Sequence, residues 1–234
     1  MKLHAAIAGM SVALVLTACV RDSLEAPVLG PIETKLLGQY DEWVAGTHYV
    51  IAQPAAELMA KDGKVTVVEF FWYGSPLCYT LDPHLVLWSR RKPENVELER
   101  VPTTWGQYDR PHARLFYTLE ALDRNDLHAA IFETFHAKGN RLANADEQQT
   151  LQLQLQFAKE HGIDERKFLD AYHSSAVTER LHVAEQLLLH YQVDKLPTLI
   201  VNGKYKTDLT RVGRSGEVLM RLLSDLAASE PSVD

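Results

Sequence analysis

The chain has 234 residues, of which 46% are hydrophobic, and it carries 24 basic against 31 acidic side chains for a formal net charge of −7. A chain of this length and composition can bury a substantial core, so we expect a globular protein. The charged residues are spread along the sequence, which excludes the basic face that nucleic-acid-binding proteins present to phosphates.

The first residues have the order of a secretory signal peptide. Lys2 precedes an apolar run over residues 5–16 that is too short to span a bilayer. The sequence Leu-Thr-Ala-Cys that ends at Cys19 resembles the lipobox of bacterial lipoproteins, in which the cysteine carries diacylglycerol and becomes the new N-terminus. We therefore predict a signal peptide at 1–18 and a periplasmic lipoprotein anchored through Cys19 to the inner or the outer membrane. The alternative is an ordinary cleaved signal with an incidental cysteine.

The chain contains two cysteines, Cys19 and Cys78. If Cys19 is lipidated, the folded part keeps one free thiol in an oxidising compartment, where unpaired thiols are unusual. An intramolecular disulfide is then impossible. Residues 19–39 contain two prolines and no sustained hydrophobic period, and they are predicted to form a tether between the membrane and the domain.

The folded part begins with a predicted strand, turn and helix. Residues 65–73 form a β-branched and aromatic run ended by a glycine, as expected for a central strand buried on both faces. Ser75 and Pro76 are of the residue types that start helices, so a helix is predicted from there to about Arg91. A second strand is predicted at residues 96–101.

The middle of the chain has helical spacing. Apolar side chains recur at intervals of three and four residues on two faces, one with Leu115, Leu119 and Leu122, the other with Val177, Leu181, Ala184 and Leu188. The pattern predicts a helical block inserted into an α/β frame.

The C-terminal part returns to an α/β pattern. Residues 198–201 are predicted to form a short strand, Asn202 and Gly203 a hairpin turn, and residues 204–207 the partner strand. A final amphipathic helix is predicted at residues 216–228.

Two stretches carry a resemblance to a known family. They are Val-Glu-Phe-Phe-Trp-Tyr-Gly-Ser-Pro-Leu-Cys-Tyr at residues 68–79 and Leu-Pro-Thr-Leu-Ile-Val-Asn-Gly-Lys-Tyr at residues 196–205. Together they are similar to the DsbA family of bacterial thiol–disulfide oxidoreductases. The likeness in element order extends over most of the mature chain.

The resemblance implies an α/β protein with a thioredoxin-like fold and an inserted helical domain. The implied division is a first thioredoxin-like part at 40–106, the helical insertion at 107–190 and a second thioredoxin-like part at 191–230. The resemblance also implies a cis peptide bond before Pro197, opposite the helix that begins at Ser75.

The family's motif is Cys-Pro-His-Cys, whereas residues 75–78 are Ser-Pro-Leu-Cys. In the family the first cysteine is a thiolate stabilised by the helix N-terminus and the neighbouring histidine, and DsbA is itself a standard example of such a lowered thiol pKa. Ser75 occupies the position of this nucleophile and cannot form a mixed disulfide. Because a disulfide donor needs two sulfurs, dithiol oxidase activity is not expected.

Two further residues of the first stretch bear on thiol chemistry. Cys78 stands where the family completes its disulfide, and apolar surroundings raise a thiol's pKa. It is therefore either an inert residue packed beneath Ser75 or at most a single-thiol exchanger. Glu69 interrupts the apolar strand and resembles the family's buried acid, which exchanges protons with the inner thiol. It is equally well explained as a structural acid satisfied by a lysine or by water.

In the resembling family, the loop at the cis proline lines a groove in which an extended client pairs with the backbone. The predicted substrate-binding residues are Pro197, Leu196, Pro76 and Leu77. The expected clients are envelope polypeptides that are unfolded or contain cysteines. An apolar residue at position 77 favours binding over thiol chemistry, with the surface of Trp72 and Tyr73 taking part.

Three functions remain open: a single-thiol exchanger, a chaperone-like binding module without chemistry, and a scaffold whose function has moved, for instance to the helical insertion. No cofactor and no metal site is predicted. His182 and Glu185 are spaced to meet on one helix, with His190 two turns beyond, but they lie among outward-facing polar positions. The sequence leaves the oligomeric state open.

Overall fold

A computed structural model describes residues 43–52 and 64–230 of the chain. The strands in these ranges are β1 (Val50–Ile51), β2 (Val65–Phe71), β3 (Val96–Pro102), β4 (Thr198–Val201) and β5 (Tyr205–Asp208). They form one sheet in the order β1-β5-β4-β2-β3, in which β2 and β3 are parallel and the other neighbours antiparallel. The predicted signal peptide and tether, with Cys19, lie outside the described residues.

Strand β2 lies inside the sheet, between β4 and β3, and all seven of its residues are buried. Its β-branched and aromatic side chains suit a strand with neighbours on both edges and packed elements on both faces. The predicted strand is confirmed, although it ends at Phe71 and not at Tyr73.

The first helix is α1 (Pro76–Ser89). Ser75 is its N-cap, since the hydroxyl oxygen accepts a hydrogen bond from the backbone N–H of Cys78 at 3.3 Å. Pro76 takes the first helical position, where a missing N–H costs nothing. The predicted start is confirmed, and the helix ends two residues before the predicted end at Arg91.

In the fully described span between β3 and β4 the chain forms five α-helices. They are α2 (Asp109–Ala121), α3 (His128–His136), α4 (Glu147–Glu160), α5 (Glu165–Tyr172) and α6 (Ser175–His190), with a 3₁₀-helix at Asn125–Leu127. Asp146, Asp164 and Ser174 cap α4, α5 and α6 through their side-chain oxygens. Both predicted apolar faces are buried, except that Leu122 is half-buried.

The C-terminal elements match their predicted positions closely. Asn202 and Gly203 have φ angles of 50° and 66°, the left-handed conformation that a tight hairpin turn needs. A 3₁₀-helix at Leu209–Val212 leads to α7 (Gly216–Ala228), which packs on α1. The peptide bond before Pro197 is cis, as expected. None of the helices in residues 43–52 and 64–230 has the length and hydrophobicity of a membrane-spanning segment.

Candidate functional site

Sheet pairing brings the Ser-Pro-Leu-Cys motif, which follows the end of β2, close to the cis proline, which precedes the start of β4. Phe70 near the end of β2 pairs with Thr198 at the start of β4. Pro197 immediately precedes Thr198, and Ser75 follows β2 after a short turn in which its N–H donates to the Trp72 carbonyl at 3.0 Å. The two stretches that carry the resemblance are therefore neighbours in space.

Cys78 lies in the first turn of α1 and has no exposed surface. Burial and the nearby carboxyl group of Glu69 raise the pKa of the Cys78 thiol to about 12, although hydrogen bonding to Ser75 and to the backbone of Trp72 acts in the opposite direction. At neutral pH the thiol is protonated and shielded from attack on a disulfide. No other free cysteine is found in the described ranges.

Ser75 performs a structural task at the position of the family's nucleophile. Its side-chain oxygen is occupied by the N–H of Cys78, and the residue is largely buried. An N-cap of this kind stabilises a helix by about 1 kcal/mol. Capping alone accounts for a serine here.

Glu69 lies on β2, between β4 and β3, and is 1% exposed. Its register partner on β3 is Arg100, with Nε 3.2 Å from Glu69 Oε2, so the cation beside Glu69 is an arginine and not a lysine. These two atoms have no hydrogen-bond partner among the described residues. Burial therefore outweighs the nearby positive charge and raises the pKa of Glu69 to about 7.

The contacts of Arg100 continue into the helices. A terminal nitrogen of Arg100 donates to Asp82 Oδ1 at 2.8 Å, and the same oxygen lies 3.3 Å from His128 Nε2. His128 Nδ1 in turn lies 2.8 Å from the Tyr73 hydroxyl. We call Glu69, Arg100, Asp82, His128 and Tyr73 the buried polar chain. It links the sheet to α1 and α3, and two of its members, Glu69 and Asp82, act electrostatically on the Cys78 thiol.

Protonation in the buried polar chain follows from its surroundings. Burial lowers the pKa of His128 to about 4, helped by the positive charge of Arg100, so the imidazole is neutral at pH 7. Burial acts to raise the pKa of Asp82, but its contacts with His128 and Arg100 prevail and hold that pKa below its usual value. Asp82 is therefore the fixed negative charge opposite Arg100.

The predicted substrate-binding residues differ in exposure. Pro76 is exposed, Leu77 and Leu196 are half-buried, and Pro197 is buried. Among the two aromatic residues expected at this surface, Trp72 is half-buried but Tyr73 is 1% exposed. The expectation for Tyr73 was wrong because neighbouring residues of an extended segment point in opposite directions, and Tyr73 points into the core.

The structure offers no metal centre in the part of the chain that it describes, since no group of three or more His, Cys, Asp or Glu side chains converges there. His182 and Glu185 do meet on α6, with Nδ1 and Oε2 3.7 Å apart.

Reasoning from the sequence missed Arg100, Asp82 and His128. A hint of Asp82 is visible in the sequence, because this acidic residue directly follows Leu81, an apolar residue of α1. A buried Glu69 also requires a cation, and β3 was the predicted neighbouring strand. His128 left no local signal, because it reaches the site only through the packing of α3.

Comparisons with known proteins agree with this architecture. The chain is 36% identical over 186 residues to the thiol:disulfide interchange protein DsbA of Pseudomonas aeruginosa, covering 79% of this chain and 84% of the relative. It is 38% identical over 190 residues to the protein of the same name from Azotobacter vinelandii, covering 81% of each. No protein-family model matches the chain.

The crystal structure of Pseudomonas aeruginosa DsbA is similar to this structure with a TM-score of 0.73 at 34% sequence identity. The match covers 81% of this chain and 95% of the solved chain. The likeness confirms the α/β thioredoxin-like fold with an inserted helical domain.

Proposed function

Because the chain belongs to the DsbA family of thiol:disulfide interchange proteins, we propose that it binds extended or unfolded polypeptides, including cysteine-containing ones, without oxidising them. The observation that carries the proposal is a motif with serine at position 75 and a single cysteine, Cys78, that is fully buried and has a pKa of about 12. At most, Cys78 exchanges one thiol when the structure opens.

The chemistry of disulfide donation supports this proposal. In disulfide donation a client thiolate attacks one sulfur of the donor's disulfide, which forms a mixed disulfide and releases the donor's second sulfur as a thiol. A second client thiolate then attacks the mixed disulfide, which closes the client's disulfide and releases the donor's first sulfur. Ser75 has no sulfur, so Cys78 cannot form within the motif the disulfide that a donor must hold before it meets the client. Burial of Cys78 also disfavours the single-thiol exchanger, because the thiolate is the reactive form.

The accessible apolar surface near the cis proline supports the binding of an extended polypeptide. Pro76 is exposed, and Leu77 and Leu196 are partly accessible, so this region presents apolar surface without a charged side chain at the helix start. An extended client would pair with the backbone before β4 and place side chains against these residues, as in strand addition. A purely structural scaffold is the alternative, and it predicts no client binding at this surface.

The location of the protein is part of the proposal. The signal peptide at 1–18, lipidation of Cys19 and the tether at 19–39 would hold the folded part at the periplasmic face of a membrane. There it would meet newly exported chains before they fold. The proposed folded part consists of a first thioredoxin-like part at 40–106, the helical insertion at 107–190 and a second thioredoxin-like part at 191–230.

The proposal is tested with a fluorescently labelled, permanently unfolded polypeptide whose binding is followed by anisotropy. Leu77→Asp should abolish binding, because it places a charge on the apolar surface near the cis proline, whereas Cys78→Ala should leave affinity unchanged. Leu87→Asp is the matched control, since Leu87 is a leucine on the same helix that is 47% exposed. Catalytic oxidation of a reduced client by the wild-type protein, or wild-type affinity in Leu77→Asp, contradicts the proposal.

A further inference from the structure

A pocket of about 230 Å³ lies beside the motif, between the turn after β2 and the helical insertion. Its lining, which we call the Trp72 pocket, consists of Trp72, Tyr108, His112, Phe135, Arg141 and Ala143. The Trp72 indole lies directly against Gly74, because a Cβ on Gly74 would come within 2.4 Å of the ring. Gly74 immediately precedes Ser75, so one wall of the pocket belongs to the segment that carries the motif.

Hydrogen bonds hold this wall in place. The Trp72 indole nitrogen donates to His112 Nδ1 at 3.0 Å, and His112 Nε2 lies 2.6 Å from the Arg141 carbonyl oxygen. Because an indole nitrogen can only donate, Nδ1 accepts and the neutral imidazole donates from Nε2. Burial lowers the pKa of His112 to about 4, so the neutral ring persists at pH 7. A wall built in advance loses little freedom when it binds a ligand.

The lining is suited to an aromatic side chain. The Phe135 ring stands at 69° to Trp72 and at 81° to His112, both edge-to-face arrangements. An aromatic side chain of a ligand can pack against these rings in the same edge-to-face arrangement, which aromatic pairs prefer. Small-molecule sites commonly measure about 300–1,000 Å³, so this pocket is sized for one side chain.

Arg141 gives the pocket a charge preference. It is the charged residue of the lining, it is exposed, and its guanidinium has no ion pair or hydrogen bond within the described residues. Neighbouring arginines are already engaged: Arg110 pairs with Glu185, and Arg114 donates to the Tyr172 carbonyl. An uncommitted guanidinium at the mouth of a pocket complements a carboxylate.

We propose that the Trp72 pocket receives a Phe, Tyr or Trp side chain of the bound client while Arg141 pairs with an acidic residue next to it. This inference rests on the proposed function and adds to it a preference for clients that carry adjacent aromatic and acidic residues. The client would then contact both Leu77 and the Trp72 pocket.

Three labelled extended peptides test the inference with the full chain. They are identical except at two adjacent positions, which read Phe-Asp, Leu-Asp or Phe-Lys. We expect the wild-type protein to bind Phe-Asp about fivefold more tightly than Leu-Asp. The preference over Phe-Lys should be roughly tenfold. Arg141→Glu should reverse the preference between Phe-Asp and Phe-Lys, while the matched charge reversal Arg166→Glu, at an exposed arginine of α5, should not.

A second measurement reports on the pocket itself. Phe135→Ala should reduce the preference for Phe-Asp over Leu-Asp to none, and the indole N–H resonance of Trp72, assigned with Trp72→Phe, should shift on adding Phe-Asp to the wild type. Equal wild-type affinity for the three peptides, or an unmoved Trp72 resonance at saturation, overturns the inference. If the inference fails, Leu77→Asp shows whether the proposed function fails with it. Loss of peptide binding in Leu77→Asp would support the proposed function without the Trp72 pocket, whereas unchanged binding would contradict the proposed function too.

Discussion

Glu69 and Arg100 face each other across the parallel pair β2 and β3, with Arg100 Nε 3.2 Å from Glu69 Oε2. The same guanidinium reaches Asp82 on α1, the helix that carries Cys78. One cation therefore serves two buried carboxyl groups. Because the raised pKa of Cys78 owes part of its shift to Glu69, this contact also bears on the thiol.

Arg100→Met should destabilise the protein by about 3 kcal/mol, because it leaves the buried carboxyl groups of Glu69 and Asp82 without their cation. Urea unfolding at neutral pH measures the change. The matched control is Arg90→Met, at an exposed arginine just after α1, which should alter stability by less than about 0.5 kcal/mol. Equal effects of the two substitutions would show that the ion pair contributes nothing beyond a surface charge.

Glu69→Gln should change how stability depends on pH. The pKa of Glu69 is raised from 4.5 to about 7, so between these values the folded state holds a proton that the unfolded state releases. Wild-type stability therefore falls, relative to the variant, as pH rises through this window, by up to about 1.4 kcal/mol per pH unit. Below pH 4.5 the difference should be constant.

The measurement is the free energy of unfolding of both proteins at several pH values across that window. Groups that titrate alike in both proteins cancel in the difference. A difference independent of pH would mean that folding does not raise the pKa of Glu69. If Glu69 has a purely structural role, client affinity should be the same in both proteins.

Cys78 should resist iodoacetamide in the folded protein and react completely in denaturant. The thiol is fully buried and its pKa is about 12, so the reagent cannot reach it and almost none of it is the reactive thiolate at neutral pH. Mass spectrometry of labelled protein gives the extent of reaction, and Cys78→Ala shows how much label goes elsewhere. Rapid labelling of the native protein at neutral pH would support the hypothesis that Cys78 is a single-thiol exchanger.

The double variant Ser75→Cys, Leu77→His should gain dithiol oxidase activity. It restores a second sulfur at the N-terminus of α1, where the helix dipole stabilises a thiolate. The assay is oxidation of a reduced cysteine-containing peptide with oxidised glutathione as the terminal oxidant. Ser75→Ala, Leu77→His is the control for the loss of the N-cap, which should itself lower stability by about 1 kcal/mol. A folded but inactive double variant would indicate that more than the sulfur was lost.

Local features of the sequence were enough to predict the elements that form the site. The β-branched run of β2, the Ser-Pro start of α1 and the turn at Asn202 and Gly203 each act over a few residues, and each is where it was predicted. The same short-range signals predicted the bounds of β4 and α7. The ends of β2 and α1 shifted by two residues, the end of β3 by one, and β5 by one residue at both ends. The ends of elements depend on what packs next to them.

The cysteine count and the Ser-Pro-Leu-Cys motif were likewise readable from the sequence alone, and they are the basis for expecting no oxidase chemistry. What the tertiary structure decided is which groups meet. Arg100 faces Glu69 through strand register, His128 approaches Asp82 through the packing of α3, and Trp72 binds His112 across 40 residues of chain. The sequence around each residue does not identify its partner, because contacts between distant segments form only when the whole core is packed.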